Sequence, residues 1–307
     1  MIVCFGECLL DCFATPPGSS LETAASFRPC PGGAPANVAM VLGASGRAAR
    51  FVGALGADAH GRRLMASLAA FGVDLSGVIT VPERTGVTFV ELGPDGQRSF
   101  LFYRRGAADD VLTRAMLAGL AAPPLRGAEW LVLGSSSLLN PSLAEATWAL
   151  VDEAAARGVK LAVDLNVRAH LWPDRGAMRA AIAALVPKAA LVKASDDDLA
   201  ALGVSPSPEG LATLSEADLA LTLGARGAHL RRAGRWYEAP AEAVTVVDAT
   251  GAGDAFLAGL VAALSDGLDD GAAALRQATA WGARACTAVG AVTAFSKSEP
   301  EEYRCAT

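Results

Sequence analysis

The run Val247-Asp248-Ala249-Thr250-Gly251-Ala252-Gly253-Asp254-Ala255-Phe256 places three small residues directly before a carboxylate. Behind it, Phe256, Leu257, Leu260, Val261 and Leu264 share one stripe, the spacing of a buried helix face. The unbonded N–H groups at a helix start, with the positive end of the helix dipole, make a site for an anion such as phosphate. Gly251, Ala252 and Gly253 are small enough to let that anion approach. A carboxylate at Asp254 suits such a place if it takes a proton from the group attacking the phosphate. Cradle plus base is the pattern of a phosphoryl transferase acting on an alcohol. Taken alone, the same residues could be a tight entry into a buried helix, with Asp254 as a first-turn charge.

Five other segments carry candidate chemistry where strands should end. Asp11 closes the first strand, where a carboxylate can accept two hydrogen bonds from a sugar diol. Cys30-Pro31-Gly32-Gly33-Ala34-Pro35-Ala36-Asn37 precedes a helix; Gly32 and Gly33 permit close backbone approach, and Asn37 offers an amide to hydroxyls. Asp164-Leu165-Asn166-Val167-Arg168 brings a guanidinium suited to phosphate. Lys193-Ala194-Ser195-Asp196 ends the next strand, and Leu221-Thr222-Leu223-Gly224-Ala225-Arg226-Gly227 ends another as a glycine-rich turn. Each has a plainer alternative: Asp11 could cap a turn, Arg168 could pair with a surface acid, and the glycines could merely turn the chain.

To position these groups the chain needs alternating strands and helices. Apolar runs predict strands over 2–10, 50–56, 129–135, 159–165, 189–193 and 218–222, and helices over 36–46, 61–72, 141–157, 176–186, 254–265 and 271–287. That alternation implies a doubly wound, mainly parallel sheet with helices on both faces. Two strand-like stretches, 85–92 and 98–103, break it; Gly93-Pro94-Asp95-Gly96 between them is a strong turn signal. With residues 13–30 this hairpin should form a small β lid, since ligands in open α/β sheets bind beyond the carboxyl ends of the strands. Extension of one edge of the main sheet is the alternative.

Bulk properties narrow the classes. The 307 residues are 52% apolar and 19% charged, which fits one globular α/β domain spanning 1–307. A net charge of -6 without a basic run argues against a nucleic-acid partner. No stretch approaches the roughly 18 apolar residues of a membrane span, and the opening lacks a basic leader, so a soluble cytoplasmic protein is expected. Cys4, Cys8, Cys12, Cys30, Cys286 and Cys305 have no histidine near them in sequence and read as buried thiols rather than zinc ligands. No GxxxxGK[ST] loop is present, so Lys193 is not a P-loop lysine. The segment after Gly6 lacks the GxGxxG of a dinucleotide oxidoreductase.

With these motifs in view, the chain resembles the ribokinase family of sugar kinases, also called PfkB carbohydrate kinases, over nearly its whole length. The likeness rests on Pro31-Gly32-Gly33 through Asn37, on residues 53–61, and on Asp248 through Phe256. It implies a three-layer α/β/α ribokinase-like core with a β-sheet lid and ATP-dependent phosphorylation of a primary hydroxyl. It also implies Asp254 as base, Gly251, Ala252 and Gly253 as anion hole, and Arg168 on the transferring phosphate. Asp11, Gly32, Gly33, Asn37 and Asn166, with Arg104 from the lid (85–106), would hold the sugar. Lys193, Thr222, Gly224, Gly227 and Thr279 would lie along the nucleotide, and Asp196 would act on Mg²⁺ through water. Asp248 and Thr250 match residues near a monovalent-cation site, K⁺ in kind. Ala249 replaces the family's usual Thr, Thr279 stands where many members carry Asn, and Asp196 is shorter than the frequent Glu. Ser99 through Asp109 and Leu171-Trp172-Pro173 resemble bacterial fructokinases, which implies fructose as acceptor. 2-Keto-3-deoxygluconate, an aminoimidazole riboside or nucleoside, or a catalytically silent sugar- or nucleotide-binding regulator are the alternatives. Lids in this family often pair, which implies a homodimer.

Overall fold

The computed structural model describes residues 1–16, 18–92 and 98–296; the expected turn at Gly93-Pro94-Asp95-Gly96 lies outside them. The chain runs through β1 (Ile2–Phe5), β2 (Leu9–Thr15) and β3 (Ser26–Gly32) into α1 (Ala34–Ala44), then β4 (Ala49–Gly56), α2 (Ala59–Ala70) and β5 (Asp74–Val81). β6 (Val87–Leu92) and β7 (Arg98–Tyr103) precede α3 (Arg114–Ala118). Alternation resumes with β8 (Trp130–Gly134), α4 (Pro141–Arg157), β9 (Lys160–Asp164), α5 (Arg175–Leu185) and β10 (Leu191–Ser195). Then come α6 (Asp196–Leu202), α7 (Pro208–Ala212), β11 (Asp218–Thr222), β12 (Ala228–Arg232), β13 (Arg235–Ala239), α8 (Ala252–Ser265) and α9 (Gly271–Ala285).

Nine strands form one sheet in the order β13-β12-β11-β10-β9-β8-β1-β4-β5, parallel from β11 to β5. Side-chain alternation along β1 shows how the layers close. Ile2 and Cys4 pack with Met40, Leu257, Leu260 and Val261 from α1 and α8, whereas Val3 and Phe5 pack with Leu143, Leu150 and Ile182 from α4 and α5. Both faces are therefore covered, as a parallel sheet requires. The strand order reverses between β1 and β8, the switch point where such sheets bind ligands.

The four remaining strands form a separate sheet ordered β3-β2-β6-β7 over the mouth of that crevice. Its β2 corrects one expectation. The stretch 2–10, read as one strand, divides at Gly6, whose φ of 144° turns the chain out of the core sheet and into the small one. Asp11 consequently lies on the lid rather than at the end of a core strand, and the lid sheet spans from Leu9 to Gly32 and from Val87 to Tyr103. Three core strands escaped the apolar pattern. β5 contains Ser76 and Gly77, yet pairing with β4 holds it extended. β12 and β13 form a hairpin about Ala233 and Gly234, both at positive φ.

Among the described residues no helix is long and apolar enough to cross a membrane. Cys4, Cys8 and Cys12 are free thiols, whereas Cys30 is disulfide-bonded, against the expectation of thiols throughout.

Candidate active site

A cleft of about 870 Å³ opens at the switch point, between the core strand ends and the lid. At its centre is the start of α8. Gly251 caps this helix at φ 77°, and a β-carbon there would fall 2.5 Å from that of Ala291, so only glycine fits. Helix α8 begins at Ala252, two residues earlier than the apolar stripe implied, which puts Asp254 in its first turn. Among the described residues the N–H groups of Gly251, Gly253 and Asp254 have no acceptor, while that of Ala252 donates to the Ala249 carbonyl at 3.2 Å. The cradle is therefore built from the first three of these groups, with Ala252 supplying small size rather than a donor.

Asp254 faces the cleft half-buried, and the Asn37 amide donates to its Oδ2 at 2.8 Å. Burial raises the Asp254 carboxyl above the ordinary aspartate range; the Asn37 hydrogen bond and the Lys193 and Arg168 charges oppose that. Lys193 lies beneath the helix start, its Nζ 2.8 Å from where a β-carbon on Gly253 would sit. It donates to both oxygens of Asp164, at 3.0 and 3.1 Å, in a pair almost wholly buried. Asp164, Asp198 and Asp254 outweigh desolvation and keep Lys193 charged, whereas burial pushes the Asp164 carboxyl up to about 7. Lys193 thus sits beside the start of α8, next to Gly253 and Asp164. Arg168 lines the cleft from the turn after β9, next to Asn166, which holds the unusual φ of 36°.

Another part of the cleft lies under the lid. Asp11 on β2 faces the cleft with its carboxyl raised to about 7, first by burial and then by the nearby Asp254 and Asp248, with Arg168 opposing. Gly33 caps α1 at φ 100°, and a β-carbon there would strike the Glu7 carbonyl at 2.4 Å, so the backbone of the two loops meets closely at the cleft edge. Gly32 does not line the cleft; it stands against the Asp11 carboxylate and makes room for it. Glu7, in the turn after β1, accepts from Ser136 Oγ, after β8, at 2.8 Å, bridging the switch point. Asn37 Oδ1 and Thr88 Oγ1 are buried, border the cleft and have no hydrogen-bond partner among the described residues. Phe100, Phe102 and Arg104 enter from β7 and the turn after it, and the Phe102 ring lies 5.4 Å from that of His170, tilted by 33°.

Thr222, Gly224, Gly227 and Thr279 line the opposite end, together with Val244, Val246, Gly282 and Ala283. The Thr279 hydroxyl donates back to its own helix, at 2.9 Å to Arg276 and 3.1 Å to Leu275, so it offers no proton outward. Asp196 pairs with Arg226 at 2.6 Å. Its neighbour Asp198 is the buried acid of this turn, accepting from Val167 N–H at 2.6 Å and Ser195 N–H at 2.7 Å. Asp248 does not border the cleft; it ties Thr250 and Gly290 together through three hydrogen bonds.

The residue patterns missed Glu7, Thr88, Ser136, Asp109, Asp164 and Asp198. For Thr88 a signal existed, since period-two alternation along β6 puts it on the face of Val90 and opposite Val87 and Phe89. Glu7 and Ser136 meet only through the parallel register of β1 with β8.

An α/β/α core with a β lid, an N–H cradle and a carboxylate beside it define a phosphotransferase acting on an alcohol. The chain belongs to the pfkB family of carbohydrate kinases, whose family model matches residues 1–298. It is 38% identical to fructokinase-1 of Oryza sativa subsp. japonica over 267 residues, covering 85% of this chain and 82% of that protein. Its fold matches a fructokinase of Vibrio cholerae O395 in a fructose-, ADP- and calcium-bound form, with TM-score 0.84, 30% identity and coverage of 96% and 95%. A fructokinase of Xylella fastidiosa with bound ATP matches with TM-score 0.81, 33% identity and coverage of 95% and 94%.

Proposed function

We propose that this chain transfers the γ-phosphate of ATP to the primary hydroxyl of fructose, giving fructose 6-phosphate. One observation carries the reading: the Asp254 carboxylate, held by Asn37, stands in the cleft at the mouth of the N–H cradle. The acceptor CH₂OH donates to Asp254, which takes its proton as the new P–O bond forms and the bond to the ADP oxygen breaks. Phosphoryl transfer depends on positioning and charge neutralisation. The N–H groups of Gly251, Gly253 and Asp254, with Arg168, meet the charge on the transferring group, while Lys193, paired with Asp164, lies beneath Gly253. Asp11, Asn37 and Thr88 engage the sugar hydroxyls, and the glycine-rich turn of Gly224 and Gly227 supports the nucleotide.

No group of three or more His, Cys, Asp or Glu able to hold a metal occurs among the described residues. That fits Mg²⁺, which keeps several waters and takes one or two carboxylates plus substrate phosphates. Asp196 and Asp198 at the start of α6 line the cleft and would hold it through water. When bound, Mg²⁺ neutralises phosphate charge. A monovalent cation such as K⁺ belongs beside Asp248, which is buried and has no cationic partner among the described residues. A cytoplasmic location accords with ATP as donor, and the exposed outer face of the lid supports a homodimer.

The test is ADP release with and without fructose, repeated on Asp254→Asn. Turnover should fall at least ~10²-fold with little change in ATP affinity. Full turnover in the variant, or wild type inactive on fructose, would refute the reading.

A further inference from the structure

We propose that the acceptor end of the cleft selects uncharged sugars over sugar acids, and that Asp109 sets this selectivity by occupying the Arg104 guanidinium. The inference rests on the sugar-kinase reading above and adds the charge class of the acceptor.

Arg104 reaches the cleft from the turn after β7, in the position from which a free guanidinium would seize a carboxylate. It is not free. Its Nε lies 2.7 Å from Asp109 Oδ2, and the Asp109 side chain is wholly buried behind it. Asp109 is fixed from the core side: Ala108 N–H, in the same short turn, donates to the Arg84 carbonyl at 2.8 Å. Glu7 adds its charge to Arg104 from the strand-β1 side. The guanidinium therefore arrives already neutralised. The contact is an ion pair without hydrogen-bond geometry, so the N–H groups of Arg104 can still meet hydroxyls, but with Asp109 against it the guanidinium holds little net attraction for an anion.

Its surroundings point the same way. Glu7, Asp11 and Asp254 also line the cleft, with Arg168 set against Asp11 and Asp254, so an acceptor carrying a carboxylate would add like charge to three acids faced only by Arg168 and a compensated Arg104. Lys193 cannot redress the balance, because Asp164 holds it from both oxygens. A neutral polyol meets no such conflict.

The experiment compares kcat/KM at pH 7.5 for fructose with that for six-carbon aldonic and 2-keto-3-deoxyaldonic acids, in wild type and Asp109→Asn. Wild type should favour the neutral sugar by at least about 10²-fold, the scale of a buried like-charge conflict. Asp109→Asn keeps the size of the side chain but releases Arg104, so the neutral-to-acid ratio should narrow about tenfold. A merely structural role for Asp109 would lower both activities and leave the ratio alone. Should circular dichroism show Asp109→Asn unfolded, Glu7→Gln must narrow the ratio in the same direction, because it removes the second acid facing Arg104. Equal use of both classes by wild type overturns the inference, as does an unaltered ratio in whichever folded variant is measured. If wild type rejects fructose, the fructose assignment fails by itself; a neutral-over-acid preference across a wider sugar panel then still judges the role of Asp109.

Discussion

Asn37 and Asp254 stand 217 positions apart in the chain and 2.8 Å apart in the cleft. That hydrogen bond favours the charged carboxylate, while burial disfavours it, and burial prevails in setting the direction. Proton acceptance needs the ionised form, so the acid limb of the pH–rate profile should lie above the ordinary aspartate range. Asn37→Ala removes a charge-favouring contact, and the limb should move to still higher pH. Activity at neutral pH should fall by about tenfold, the scale of one charged hydrogen bond. A kcat/KM profile between pH 5 and 9 measures both effects. A limb that moves down, or stays in place, would sink the assigned coupling.

Among the elements, the segment 248–254 decides most. Its last residues start α8, and its first are pinned elsewhere, since Asp248 accepts from Thr250 N–H, Thr250 Oγ1 and Gly290 N–H. An ionised carboxylate has about four acceptor positions, and three are filled here. A buried charge without a counter-ion is costly, so a monovalent cation beside it should steady the cradle. Replacing K⁺ by tetramethylammonium at constant ionic strength is therefore expected to lower kcat. Asp248→Asn should lose most of that dependence. Rates indifferent to the cation would remove the ion from the account and leave Asp248 as a loop tie.

At the scale of the whole molecule, the lid has two unlike faces. Asp11, Thr88, Phe100 and Phe102 turn to the cleft, while Phe27, Phe89, Leu101 and Tyr103 turn outward, Phe89 meeting Phe27 and Tyr103 edge to face. Leu101 is 45% and Tyr103 53% exposed, a clustered apolar surface of the kind that marks an interface. A second copy packing there should make the protein a dimer in light scattering. Leu101→Asp with Tyr103→Asp should shift it to monomer. Wild type running as monomer at micromolar concentration would rule this association out.

The residue order by itself carried the α8 motif, the alternation that makes a doubly wound sheet, and the hairpin of β6 and β7, because each depends on neighbours a few positions apart. It also supplied Asp254, Asn37, Asp11 and Arg168 as chemically suitable groups. It could not show that β1 ends at Gly6, that Asp11 rides on the lid, or that Asp198 rather than Asp196 is the buried acid of its turn. Nor could it show that Arg104 reaches the cleft already paired with Asp109. These outcomes depend on burial and on distances between segments remote in sequence. Desolvation and Coulomb attraction act through space, so only the folded arrangement decides which charges meet.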